Sequence, residues 1–367
     1  MNKATSIYLD LVRLLAALIV LIYHFAYERF SGGGLQFIRD SHIGSDAVIL
    51  FFVLSGYVIA YVAAERDRNV QEYMLNRLSR LWSVAIPALV LTVVVDQLGL
   101  LINPKAYGGW WYQNDSPVFR TFANLFFVNE LWFKSIRPFT NGPFWSLGYE
   151  FWYYVIFAAA FYFSGIIRIV MILLLALFVG PKILLLFPLW ILGVWTWHFN
   201  QRVKITIPVG WVLFITPILF YLLIKYFQVD LAALHLTEII LGTGDVDDVL
   251  GFSDEFLISY LYGVLIAMNF IGMNFIAPVM EKRLVRLEKP IRYWAGLTFS
   301  IYLLHYPLLQ LFSVVFNESM NVLIRNSLIL LSTLFVISII GNQTEKKKHI
   351  TRNLIRRLMI WARLLPS

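Results

Sequence analysis

The sequence contains no cysteine. That excludes a disulfide framework, a thiolate nucleophile and a cysteine-based metal site. Charge is scarce as well. Asp, Glu, Lys and Arg make up 14% of the 367 residues, where a soluble domain carries about 25%. No internal repeat is visible, nor any low-complexity linker. The N-terminus lacks a small-residue cleavage site leading into a soluble domain, so the first apolar run is expected to be a retained helix and not a signal peptide. The net charge of +8 gathers in short loops and in the C-terminal tail. That is where the positive-inside rule expects it, so it is no sign of a nucleic-acid partner. No metal is expected.

What is present is apolar. Hydrophobic residues make up 59% and aromatics 17%, and the mean hydropathy is +0.71. The apolar residues come in blocks of about twenty, the length that crosses a bilayer core. The expected fold is an all-α polytopic membrane protein, a bundle of about ten transmembrane helices in membrane lipid. The spans are expected near 6–27, 44–64, 81–101, 144–163, 166–180, 183–199, 205–228, 256–277, 294–316 and 321–341. The fifth and sixth are short and separated only by Gly180–Pro181–Lys182. With ten spans, Arg66, Arg68, Arg77, Arg80, Arg168, Arg202, Lys204, the basic 278–293 loop and the tail with Lys346, Arg352 and Arg363 share one side. The acidic 229–255 loop, with Asp230, Glu238, Asp245 and Glu255, takes the other. Both termini are then cytoplasmic. Residues 1–345 read as the transmembrane domain and 346–367 as a basic tail. In that tail Leu354, Leu358, Trp361 and Leu365 recur at helical spacing. They fit an interfacial helix or a solvated stop signal equally well. The 102–143 segment, with Trp110, Trp111, Tyr112 and Trp132, is expected at the outer interface.

Tyr8–Phe25 is an apolar run that carries Asp10, Arg13 and His24. A charged side chain at membrane depth costs roughly 2.5–3.5 kcal/mol on insertion scales, so it marks a functional candidate. Arg13 and His24 are eleven residues apart, about three turns plus 20°, and share a face roughly 16 Å from end to end. One helix face thus presents a fixed cation and a titratable imidazole at two depths, which suits a long ligand. Taken singly, Arg13 pairing with Asp10 and an interfacial His24 would be structural. In the second span, Ser55–Gly56 reads as a close-packing site. Arg77 and Arg80 share a face at the inner interface, either as a phosphate grip or as topology-setting charge. Glu150 lies one to two turns below the outer surface, a depth similar to that of His24, where it could orient the imidazole or bind neighbouring tyrosines. His305 lies near mid-membrane beside Pro307, which is expected to kink its helix, and stands as a second-rank base.

Five stretches in order resemble the membrane-bound acyltransferase 3 family of bacterial polysaccharide O-acyltransferases: LDLVRLLAALIVLIYH, FFVLSGY, the Arg-x-x-Arg pair, FWSLGYEFWYY and TFSIYLLHYP. The resemblance runs from residue 8 to about residue 310. It implies transfer of an acyl group, usually acetyl, from cytoplasmic acyl-CoA to a carbohydrate hydroxyl at the outer side of the bacterial inner membrane. The acceptor would be a surface polysaccharide, a glycolipid or a lipid-linked sugar. By position, His24 would be the catalytic base and Arg13 its motif partner along the donor channel. Arg77 and Arg80 would hold the CoA phosphates, and Glu150 would support the outer end. Asp10, Trp145, Tyr302 and His305 are second-rank or substrate-side candidates. The family often has proline three residues after the second arginine, where this chain has Ser83 and then Pro87. The chain shows no soluble esterase-like domain and is expected to act alone. Two rival readings use the same buried polar residues: a flippase for a lipid-linked sugar, for which no paired inverted repeats are seen, and a non-catalytic scaffold.

Overall fold

Asn2 starts the first helix, its side chain accepting from the Thr5 N–H at 2.7 Å. A computed structural model describes residues 1–242, 246–316 and 319–361; Asp245, Arg363 and Leu365 lie outside the described residues. Ten described helices have fifteen residues or more: α1 Lys3–Phe25, α2 Ile43–Glu65, α3 Val70–Ile102, α4 Trp145–Tyr162, α5 Gly165–Val179, α6 Pro181–Arg202, α7 Ile207–Tyr226, α8 Phe256–Arg286, α9 Thr298–Val315 and α10 Val322–Gln343. A further helix, α11 Lys348–Trp361, follows. Strand structure among the described residues is confined to an isolated Gln113–Phe139 bridge.

Eight of these helices are long and apolar enough to cross a membrane. The two that fall short are the expected fourth and fifth spans. Glu150 and a run of Trp and Tyr lower the hydropathy of α4, and α5 has only fifteen residues. Gly180, in a left-handed conformation at φ 80°, separates α5 from α6.

Helix α3 starts eleven residues before the expected span. The Asn69 side chain accepts from the Glu72 N–H at 2.8 Å, a polar cap that hydropathy does not register. Arg77 and Arg80 therefore sit within a helix and not in the loop before it. The expected ninth span is broken at Gly296–Leu297, where the short helix Glu288–Ala295 ends and α9 begins. Helix α9 continues through Pro307. Pro307 has no N–H for the Leu303 carbonyl, and the Asn141 amide donates to that carbonyl at 2.9 Å instead.

The Ser55–Gly56 reading is met in the packing of α2 on α6. A Cβ at Gly56 would lie 1.9 Å from the Trp190 carbonyl oxygen, and one at Gly193 would lie 1.9 Å from that of Val53. Two helix backbones touch here with no room for a methyl group.

Gly56→Ala is expected to destabilise the bundle by about 1–3 kcal/mol, because the obstructing atom is backbone and cannot rotate away. Thermal melting of the detergent-purified protein checks this. An unshifted curve would show that α2 and α6 can separate without cost.

Candidate functional site

Helices α1 and α9 run parallel, side by side. At one height Arg13 Nη2 donates to the Ala295 carbonyl just before α9, at 2.8 Å. Higher up, His24 Nδ1 meets His305 Nε2 at 2.9 Å. Ten residues along one chain thus match eleven along the other, as two parallel helices require. Thr298, Tyr302 and His305 follow at i, i+4 and i+7, so they line the α9 face between those two contacts.

The hydrogen bonds fix the protons of the histidine pair. His305 Nδ1 lies 2.9 Å from the Ile301 carbonyl, which can only accept. His305 Nδ1 therefore carries hydrogen, and the neutral ring presents a lone pair at Nε2. His24 Nδ1 must donate to that lone pair. This leaves the lone pair of His24 on Nε2. No partner for that nitrogen is found among the described residues, and His24 lines an outer cavity.

Two cavities flank this helix pair. The inner one is lined by Arg13, Arg80, Ser55, Ser146, Glu150, Tyr154, Thr298 and Tyr302, among apolar groups of α2. The outer one is lined by His24, Tyr27, Trp110, Gln113, Arg137, Trp145, Lys182, Phe252 and Tyr306. Trp145 and Ser146 are consecutive on α4 and face different cavities. Within the inner cavity, Ser146 Oγ donates to the Tyr302 hydroxyl at 2.8 Å.

Glu150 is not where its depth suggested. Its carboxylate accepts from Ser55 Oγ at 3.1 Å and from the Tyr154 hydroxyl, inside the cavity that holds Arg13 and Arg80. The imidazole of His24 is hydrogen-bonded by His305 instead. Of the two readings of Glu150, bonding to a neighbouring tyrosine is the one seen; the direction α4 faces was not legible from spacing. His305, not Glu150, bonds His24.

The arginine pair also divides. Arg80 lines the inner cavity and has no ion pair among the described residues. Arg77 is buried behind it, 3.7 Å from Asp67 and over the rings of Tyr73 and Tyr154. Asp10 has a tethering place outside both cavities, bonding Arg13 at 3.0 Å and Arg292 at 2.9 Å. In that position it holds Arg13 against the start of α9.

Several lining groups went unrecognised in the sequence. Arg137 reaches the outer cavity beneath the Trp110 ring, 5.1 Å from its centroid. Lys182 Nζ is buried on Glu130 Oε2 at 2.8 Å and Ser135 Oγ at 2.6 Å. Phe252 stacks on the candidate Trp145 with ring centroids 4.3 Å apart. The aromatic content of 102–143 was the available signal; it puts Trp110 in the wall of the cavity that holds His24. The tail helix α11 packs on α3 through Arg352 Nε, which donates to Asn76 Oδ1 at 2.9 Å, and through buried Ile355, while Leu354, Leu358 and Trp361 stay exposed.

The family profile described as an acyltransferase domain matches residues 6–341. An O-acetyl transferase of Shigella phage Sf6 is 28% identical over 156 residues, 41% of this chain and 44% of that protein. Acyltransferase MdmB of Streptomyces mycarofaciens is 28% identical over 151 residues, 40% of this chain and 36% of that protein. The matched part is thus under half the length of either relative. No solved structure matches. The profile covers nearly the whole chain, and the protein belongs to the acyltransferase 3 family.

Proposed function

We propose that this protein transfers an acyl group, usually acetyl, from cytoplasmic acyl-CoA to a hydroxyl of a carbohydrate on the outer side of a bacterial inner membrane. The carrying observation is the His24–His305–Ile301 chain of hydrogen bonds. It aims a free imidazole nitrogen into the outer cavity while the same two helices line the inner one. The aromatic walls of the outer cavity, Trp110, Trp145 and Phe252, suit a sugar face. The name of the phage relative, an O-acetyl transferase, supports an acetyl group and an oxygen acceptor.

The donor enters past Arg80 and Arg13, its thioester reaching the level of Tyr302 and Trp145. His24 Nε2 removes the proton from the acceptor hydroxyl, and that oxygen attacks the thioester carbonyl. The C–S bond breaks, and the proton passes from His24 to the departing thiolate. While His24 is charged, its Nδ1–H still donates to His305. The neutral His305 ring thereby stabilises the imidazolium without taking its proton, the orienting role of the third group in a hydrolase triad.

Both termini lie on the cytoplasmic side in this reading, with ten crossings. The parallel run of α1 and α9 supports it, since the first and ninth spans of a ten-span chain cross in the same direction. A reporter fused after Ser367 should be cytoplasmic, and one inserted in the 229–255 loop external. An external C-terminal reporter would overturn the ten-span arrangement.

His24→Ala is expected to lower transfer about 100- to 10,000-fold, the usual contribution of a positioned base, with acyl-CoA binding retained. His305→Gln, which can still accept from His24, should keep more activity than His305→Leu. Glu150→Gln should act on the donor KM, because Glu150 shares the cavity of Arg80. Arg80→Ala should weaken acyl-CoA binding by about 1.5–3 kcal/mol, the worth of a charged hydrogen bond. The assay is transfer of labelled acetyl from acetyl-CoA to extracted glycan by purified protein. Wild-type rates in folded His24→Ala would remove His24 from the mechanism.

A further inference from the structure

We propose that the C-terminal helix α11 completes the donor site, with Lys348 binding a phosphate of the nucleotide beside Arg80. The inference rests on the acyl-CoA reading above and adds a ligand from a segment outside the five sequence motifs.

Two anchors fix where Lys348 lies. Three residues before it, Glu345 accepts from the N–H groups of Phe299 at 3.3 Å and Ser300 at 2.9 Å, and from Ser300 Oγ at 2.9 Å. Those donors open α9 next to Thr298, and Thr298 and Phe299 line the inner cavity. Four residues after it, Arg352 holds Asn76, one residue before Arg77 on α3. Lys348 is thus held between the start of α9 and the turns of α3 that carry Arg77 and Arg80, the second of which lines the inner cavity.

The charges there are unevenly matched. Arg13 has Asp10, and Arg77 has Asp67. Glu345 is taken by the start of α9, and Glu150 by Ser55 and Tyr154. Arg80 and Lys348 have no ion pair among the described residues. The Lys348 side chain is exposed as a whole, yet partial desolvation of its ammonium, then the charges of Arg80, Arg77 and Arg13, hold it below its ordinary pKa. Like charges gathered in one place repel until an anion joins them, and a phosphate accepts from ammonium and guanidinium together. The headgroup of an anionic lipid offers the same chemistry, so the test separates the two sources.

The full-length protein is compared with Lys348→Ala and Lys348→Arg in detergent, in zwitterionic nanodiscs and in nanodiscs containing phosphatidylglycerol. The two donors are acetyl-CoA and S-acetylpantetheine, which has the thioester arm but no nucleotide. Lys348→Ala should raise the KM for acetyl-CoA about tenfold in all three settings, the effect of one charge-assisted hydrogen bond. It should leave the KM for S-acetylpantetheine unchanged, and Lys348→Arg should restore most of the loss. Equal weakening toward both donors would make Lys348 structural, and an unchanged acetyl-CoA KM would remove it from the site. A change seen only with phosphatidylglycerol would assign it to lipid. Absence of CoA binding by the wild-type protein would overturn the donor reading itself, and this assignment with it.

Discussion

The parallel pairing of α1 with α9 is the constraint on which the rest depends. Helices in a membrane gain little by burying apolar surface against one another, since lipid tails are as apolar as leucine. Register must then come from polar contacts and close packing. Arg13 on the Ala295 carbonyl and His24 on His305 lock the pair at two heights. With both contacts made, the α1 helix cannot slide or rotate against α9 without stranding a guanidinium or an imidazole in an apolar setting. Arg13 borders the inner cavity and His24 the outer one, so the bonds that set the register also place both side chains.

The functional groups also separate by type. The inner cavity gathers Arg13, Arg80, Glu150 and Tyr154, groups suited to a charged and extended ligand. The outer cavity gathers an imidazole and aromatic rings. Adjacent residues on α4 serve both, because successive side chains on a helix point about 100° apart. Trp145 faces outward, Ser146 and Glu150 face inward, and Ser146 bonds Tyr302 within the inner cavity.

Much of this was legible in the sequence, for definable reasons. The eleven-residue interval from Arg13 to His24 gave a shared face and a length, and the structure keeps both. The Ser55–Gly56 pair announced a tight helix contact, although its partner, Gly193, carried no comparable signal. What could not be read was rotation about a helix axis and contact between distant segments. Glu150 and His24 were matched by depth alone, yet α4 turns its carboxylate to Ser55 and Tyr154. Arg77 and Arg80 share a face, but Asp67 claims one of them. The tail showed an apolar stripe that remains exposed, while the residues fixing its position, Glu345 and Arg352, looked like ordinary tail charge.

The placement of Pro307 follows from the same logic of unpaired backbone groups. The proline frees the Leu303 carbonyl, and Asn141 fills the vacancy. The second hydrogen of that amide goes to Thr92 on α3 at 3.0 Å. One turn further along α3, Asp96 accepts from the Thr140 N–H at 3.1 Å and from Thr140 Oγ1 at 2.8 Å. The segment that brings Arg137 and Gly142 into the outer cavity is thereby fixed to α3 and α9 together. Its anchor on α9 lies two residues from His305. The missing proton of Pro307 thus ties the outer cavity wall to the helix that bonds His24, so the wall and the imidazole are held in one frame. A leucine at 307 would offer its N–H to the Leu303 carbonyl in competition with Asn141, weakening the tie without touching any residue that lines the site.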